Sequence, residues 1–157
     1  MTYSQFPIYL SYSQLCIFGS SLDQPFNDWN DRHFSQGFSW RESSVSFRAL
    51  KEAGNHDVHL HINEPVPEFD YKSIRAFKVP FIISENLIEI GSISNSKVVQ
   101  IIPDTYSLQV EFYADNCEDP PAIIVRLNTG DTSFSILKGD DQIITESELD
   151  LISYQAS

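Results

Sequence analysis

The sequence predicts a mainly β fold, a single-domain antiparallel β-sandwich over residues 1–157 with one short helix around residues 28–36. Three observations predict it. Short segments rich in Ile, Val, Phe and Tyr recur along the chain, several alternate apolar with polar residues, and turn residues separate them at the spacing typical of sandwiches. A length of 157 residues suits one domain, and a 41% hydrophobic content is sufficient for a core without disulfides.

Nine segments have the composition of β-strands. In chain order they cover residues 8–18, 44–50, 57–62, 75–83, 86–90, 97–102, 105–114, 122–127 and 133–139. The third segment shows the alternation most clearly, because Val58, Leu60 and Ile62 fall on one face while His59 and His61 fall on the other. We therefore expect the three aliphatic residues to face the core and both imidazoles to face solvent.

Local signals refine three of these predictions. Pro80 cannot donate a ladder hydrogen bond, which predicts an edge strand or a bulge. The turn NTGD, residues 128–131, predicts a hairpin with Gly130 at a positive φ. The last segment, QIITESELDLISYQAS, is compatible with a strand pair or with a short helix beginning at Thr145, and the sequence leaves both open.

The stretch NDWNDRHFSQGFSW, residues 27–40, contains the predicted helix. Asn27 or Asp28 is expected to cap it, with Asp31 three residues after Asp28 as in a capping box. Gly37 is expected to end the helix, and strand periodicity begins at Phe38. This pattern favours a structural helix at one end of the sandwich over a catalytic cluster.

Charge is unevenly distributed along the chain. There are 22 acidic and 10 basic residues, a net charge of −12. Residues 104–157 carry −9 of this, since their only basic residues are Arg126 and Lys138. Such a field argues against direct binding of nucleic acid, which needs Lys and Arg, and it would steer a basic protein partner toward the chain.

Location is predicted from the start of the chain and from its cysteines. No apolar run has the length of a membrane span, and the N-terminus lacks the basic start of a secretory signal. Cys16 and Cys117 lie in β-like segments and are expected to be free, buried thiols. The sequence therefore predicts a cytoplasmic protein.

Motifs for catalysis or cofactor binding are weak. His59, His61 and Glu64 form a possible metal site, but Glu64 follows too closely and no later His supplies another ligand. A nucleophile elbow, a phosphate-binding glycine loop and a calcium-loop series are all missing from the sequence. We predict no cofactor and no enzymatic activity.

The order of several motifs resembles the competence protein J family, whose founding member is described as an inhibitor of a DNA-entry nuclease. These motifs are SYSQLCIF, DWNDRHFSQGF, SSVSF, KVPFIISENLIEIGSI and PDTYSLQVEFY, spread over residues 8 to 113. The family pattern falls on Tyr12, Gln14, Asp28, Trp29, Asp31, Gly37, Phe38, Phe47, Pro80, Phe81 and Asn86, which we expect to be mainly structural.

The resemblance implies a stoichiometric inhibitor of a nuclease, or a related immunity protein against a bacterial nuclease toxin. The expected partner is a basic nuclease, whether secreted, membrane-associated or a toxin domain. An acidic surface is expected to occlude its active site. We predict that this surface comprises Asp115, Glu118, Asp119, Asp131, Asp140, Asp141, Glu146 and Glu148. The alternatives are a β-sandwich module that binds calcium or carbohydrate, and a small metal enzyme built on His59 and His61.

Overall fold

Eleven strands and one helix make up residues 2–69, 72–114 and 119–156, the parts of the chain that the computed structural model describes. They are β1 (Thr2–Leu10), β2 (Gln14–Gly19), α1 (Asp31–Gln36), β3 (Phe38–Arg41), β4 (Ser44–Arg48), β5 (Gly54–Ile62), β6 (Arg75–Ile83), β7 (Leu87–Gly91), β8 (Ser96–Gln100), β9 (Asp104–Phe112), β10 (Ala122–Thr129) and β11 (Ser135–Lys138). No helix in these ranges is long and apolar enough to cross a membrane.

The strands form two sheets. The large sheet has the order β1-β5-β10-β9-β6-β11, and the small sheet has the order β3-β4-β2-β7-β8. Every pair is antiparallel except β5 and β10, which are parallel. The predicted mainly β sandwich is confirmed, with one parallel pair within the large sheet.

Apolar side chains from the facing sides of both sheets form one core. Val58, Leu60 and Ile62 of β5 are buried, as their alternation predicts. The sheets meet through aromatic rings, since Phe47 of the small sheet lies 5.7 Å from Phe77 of the large sheet, centroid to centroid. Phe38 approaches Phe77 at 6.0 Å in an edge-on arrangement that aromatic rings favour.

The first predicted strand divides into two. β1 starts at Thr2 and belongs to the large sheet, whereas β2 belongs to the small sheet. Tyr12 and Ser13 between them have φ angles of 56° and 58°, a left-handed backbone that a continuous strand cannot accommodate. Residues 8–18 therefore carry the chain from one sheet to the other.

Gly130 has the predicted positive φ, at 125°, but the predicted hairpin is wrong. β10 is bonded to β5 on one edge and to β9 on the other, so it has no edge left for β11. β11 pairs instead with β6, where Ile136 lies opposite Phe77.

Pro80 lies at a position of β6 that has a neighbouring strand on one side only. It faces Ser107 of β9, while β11 extends along β6 only from Ala76 to Lys78. The carbonyl of Pro80 accepts a hydrogen bond from Trp40 Nε1 at 2.7 Å. β6 is not an edge strand, because it lies between β9 and β11, so the predicted edge environment holds only at Pro80 itself, beyond the end of β11.

The helix α1 begins later than predicted, and its cap is Asn30. The Asn30 side chain accepts the His33 N–H at 2.8 Å, and the Asn30 N–H donates to His33 Nδ1 at 3.1 Å, which completes a capping box. The predicted cap by Asn27 or Asp28 is wrong, because Asn27 is buried and donates to the carbonyls of β3 and β4. Gly37 ends the helix as predicted, with φ 94°.

Cys16 is a free and buried thiol, as predicted. Burial raises the pKa of this thiol to about 11, so it stays protonated at neutral pH. Cys117 lies outside the described residues.

Alanine substitutions at Gly37 and Gly130 separate the cost of a positive φ from the cost of a steric clash, because both glycines have a positive φ but only Gly37 has close neighbours. A Cβ on Gly37 would lie 2.5 Å from Phe77 Cζ, whereas a Cβ on Gly130 would meet nothing within 4 Å. We expect Gly130→Ala to lower the free energy of unfolding by about 1–2 kcal/mol for the positive φ alone. We expect Gly37→Ala to lower it by about 2–5 kcal/mol because overpacking is added. Urea unfolding measures both, and equal losses would contradict the steric contribution of Phe77.

Candidate interaction surface

Residues 139–156, here called the C-terminal segment, lie along α1 without forming a helix or a strand pair. Arg32 of α1 holds the middle of the segment by its backbone. Its Nε donates to Glu148 O at 2.9 Å, its Nη2 to Ser147 O at 2.7 Å and its Nη1 to Ile144 O at 3.2 Å. One guanidinium group thus donates hydrogen bonds to three backbone carbonyls that are not paired in a sheet.

Gln36, at the end of α1, binds the next part of the segment. Its side chain is fully buried, and it donates to Asp150 O and accepts from Asp150 N, both at 2.9 Å. Further along, Asp28 N donates to Tyr154 O and Ala156 N donates to Phe26 O, each at 2.8 Å. The segment is therefore fixed mainly through its backbone.

His33, Asp150 and Ser153 resemble a catalytic triad in composition but not in geometry. His33 Nε2 lies 3.3 Å from Ser153 Oγ and 3.4 Å from Asp150 Oδ2. His33 Nδ1 accepts the Asn30 N–H, so the neutral ring carries its proton on Nε2, where it donates to Ile152 O at 3.0 Å. A triad needs the carboxylate at the opposite ring nitrogen from the hydroxyl. The cluster is a structural attachment for the segment.

Arg75 anchors the start of the segment from inside the protein. It is 1% exposed, and its Nε donates to Asp140 Oδ1 at 3.1 Å. Its Nη1 donates to Ala49 O at 3.0 Å, and its Nη2 donates to Gln142 Oε1 at 2.7 Å. Asp140, predicted as a partner-binding residue, is thus tied to a buried cation within the fold.

Four further predicted carboxylates differ in whether a cation pairs with them. Asp141, Glu146 and Glu148 are exposed on the C-terminal segment, and their side chains form no hydrogen bond or ion pair with any described residue. Asp131 instead forms an ion pair with Lys78, which lowers the pKa of its carboxyl to about 2.

Two of the predicted carboxylates lie far apart. Asp119 precedes β10 and Asp131 follows it, so a strand of eight residues separates them by roughly 25 Å. Asp115 and Glu118, which were predicted on the same surface, lie outside the described residues.

A cleft of about 620 Å³ lies on the outer face of the large sheet. Tyr3 OH is 3.0 Å from His59 Nδ1, and the ring of Tyr3 lies 4.8 Å from that of His61. Burial, with Arg126 as a further cause, lowers the pKa of His61. Within the described ranges, no three His, Cys, Asp or Glu side chains group so that they could hold a metal.

A buried ion pair adjoins this cleft. Arg126 Nε donates to Glu111 Oε2 at 2.9 Å, and Glu111 also accepts hydrogen bonds from Gln109 and Tyr113. Sequence analysis missed this pair, since its members are 15 residues apart. Only the strand register brings them together.

The residues that carry the family pattern occupy different environments. Gly37, Phe38, Phe47, Pro80 and Phe81 are buried; Gln14 and Trp29 are half-buried; Tyr12, Asp28, Asp31 and Asn86 are exposed. The buried group is consistent with the structural role predicted for the pattern.

Comparisons with known proteins show what this chain and its fold are similar to. The competence protein J (ComJ) family model matches residues 7–135. A solved structure described as ComJ, inhibitor of the DNA degrading activity of NucA, from Bacillus subtilis has a TM-score of 0.70 at 20% identity, covering 83% of this chain and all of that one. A chain described as crocagin biosynthetic gene J has a TM-score of 0.54 at 16% identity, covering 81% of this chain and 97% of that one. No curated protein sequence matches.

The attachment of the C-terminal segment is expected to depend on pH through Asp150. Its pKa is lowered below the ordinary 3.8, chiefly because the Asn30 side-chain amide donates to the carboxylate and also because the Ile152 N–H does. A lowered pKa means that the contribution is complete above about pH 3.8 and is lost as the pH falls through the folded-state pKa. Hydrogen exchange of the Ile152 amide, corrected for its intrinsic rate, should keep its protection at pH 5 and lose it as the pH falls below the ordinary pKa and through the folded-state pKa of Asp150.

The variant Asp150→Asn should show low protection of that amide already at pH 5 and little further change on acidification. Asp141→Asn, an exposed carboxylate of the same segment, is the matched control and should retain the pH dependence. If Asp150→Asn kept the full dependence, another group would control the attachment.

Proposed function

The chain belongs to the competence protein J family, and on that basis we propose that it is a stoichiometric protein inhibitor of a nuclease. The observation that carries the proposal is the family match over residues 7–135, together with the likeness to a ComJ structure described as an inhibitor of the DNA-degrading activity of NucA. The protein is then a binding protein and not an enzyme. A cytoplasmic location would let it protect the cell that makes it.

The mechanism that we propose is electrostatic occlusion. A nuclease binds a polyanion, so its active-site cleft is usually positively charged, and exposed carboxylates could take the positions of phosphates. Asp141, Glu146 and Glu148, here called the acidic face, are exposed and free of ion pairs with described residues. Complementary charge of this kind mainly raises the rate of association.

The structure narrows the set of carboxylates that we assign to this role. Asp131 and Asp140 already have cationic partners in Lys78 and Arg75, so they offer less charge to a nuclease. Asp119 is exposed at one end of β10 and stays in the proposed set. Asp115 and Glu118 stay in it on sequence grounds alone.

A titration into a nuclease tests the proposal directly. NucA and the nuclease encoded beside the chain's own gene are the two targets, assayed at about 50 mM and about 500 mM salt. We expect inhibition of at least one target with an equivalence point at one to one, and slower association at high salt because the Debye length shortens. Absence of binding to both nucleases at both salt concentrations would refute the proposed function.

The acidic face is tested by the double variant Glu146→Lys and Glu148→Lys. We expect its association rate at 50 mM salt to fall at least tenfold, with the difference narrowing at 500 mM. The control is Glu52→Lys with Glu68→Lys, which changes the same residue type, the same exposure class and the same net charge elsewhere. Equal rates for the two double variants would remove the acidic face from the mechanism while leaving inhibition itself in place.

A further inference from the structure

A groove of about 440 Å³ is lined in part by the C-terminal segment, which also carries the acidic face. Its apolar lining comes from Leu22, Trp40, Leu151 and Ile152, and Glu42 and Arg41 line it as well. We call it the tail groove, because the C-terminal segment forms one of its walls. The other walls come from the loop after β2 and from the β3–β4 turn.

The backbone of the segment is held so that its apolar side chains remain outside. Ile152 N donates to Asp150 Oδ1, and Ile152 O accepts from His33 Nε2, both at 3.0 Å. The Ile152 side chain nevertheless stays 66% exposed, and Tyr154 is 71% exposed. Ordered backbone with exposed large apolar side chains is typical of a surface that a partner covers.

The tail groove contains a carboxylate that forms no salt bridge with a described residue. Glu42 lines the groove and is exposed, and Asp23, next to the lining residue Leu22, is exposed as well. Arg41 also lines the groove and keeps its positive charge, but hydrogen bonds to neutral oxygens hold its guanidinium in place. Arg32 donates to carbonyls of the segment, and Arg41 donates to Asn27 Oδ1 at 2.6 Å and Gln24 O at 2.6 Å.

We infer that the tail groove is the desolvated centre of the interface with the nuclease, and that it takes the aliphatic stem of a Lys or Arg side chain from that basic protein. The inference rests on the proposed function. It adds which part of the interface supplies the affinity for the nuclease, as distinct from the rate of association. Arginine and lysine bury their methylene groups against apolar surface while their charged ends reach carboxylates. The tail groove offers Ile152 and Trp40 for the stem and Glu42 for the charge.

The family model ends at residue 135, before the C-terminal segment begins. Leu151 and Ile152, which form one wall of the tail groove, therefore lie outside the part of the chain that the family model matches.

The test compares two double variants in binding to the nuclease that the unaltered protein inhibits. Leu151→Ala with Ile152→Ala removes the apolar wall that the segment contributes. Leu87→Ala with Ile102→Ala is the control beside the β7–β8 pair, where the same residue types are similarly exposed, at 38% and 76% against 37% and 66%. We expect the first pair to weaken Kd at least tenfold through faster dissociation, equally at about 50 mM and about 500 mM salt, and the control to leave Kd unchanged. All four sites are exposed, so thermal unfolding should be unchanged in both.

Each outcome is decisive. A tenfold loss in the first pair alone supports the tail groove, and its persistence at high salt separates it from the acidic face. Unchanged Kd in the first pair, with inhibition by the unaltered protein intact, overturns this inference and leaves the proposed function standing. Failure of the unaltered protein to bind any tested nuclease overturns both.

Discussion

The buried guanidinium of Arg75 is the interaction on which the arrangement of the molecule depends. It joins the first residue of β6 to the chain just after β4 and to the Asp140–Gln142 turn, three parts of the chain that are otherwise distant. A buried cation is costly unless its donors are satisfied, and here one carboxylate and several oxygens satisfy them. The C-terminal segment therefore starts from a fixed point inside the fold, and α1 needs only to guide the residues after Gln142.

Much of the fold could be predicted because its cause is local. Alternation of apolar and polar residues identifies β5, although the predicted strand starts at residue 57 and β5 starts at Gly54. Composition identifies β6 from end to end, and Gly37 marks the end of α1. The features that could not be predicted depend on distant pairing. The hairpin expected at residues 128–131 fails because β10 is already flanked on both edges, and no local pattern reports that. Likewise Asn27, a good cap by type, is bonded to two strands instead.

The candidate carboxylates could be selected from the sequence, but their surroundings in the fold could not. Sequence reasoning identified the carboxylates of the last third of the chain, yet it could not separate Glu146 and Glu148, which are unpaired among the described residues, from Asp131 and Asp140, whose cations come from β6. The C-terminal segment has no periodicity, because its backbone is satisfied by the side chains of α1 instead of by a regular ladder. The path of the segment is therefore determined more by the side chains of α1 than by the segment's own residues.

The two-sided clamp of Gln36 on the peptide group of Asp150 has a wider consequence. Gln36 and Arg32 grip main-chain atoms that every residue type possesses, so the hold is largely indifferent to the side chains it carries. Mutations at most outward-facing positions of the segment therefore leave these hydrogen bonds intact. The attachment of the segment and the side chains that it exposes are thus largely independent, so the exposed side chains, and with them the binding preference, can change while the fold stays the same.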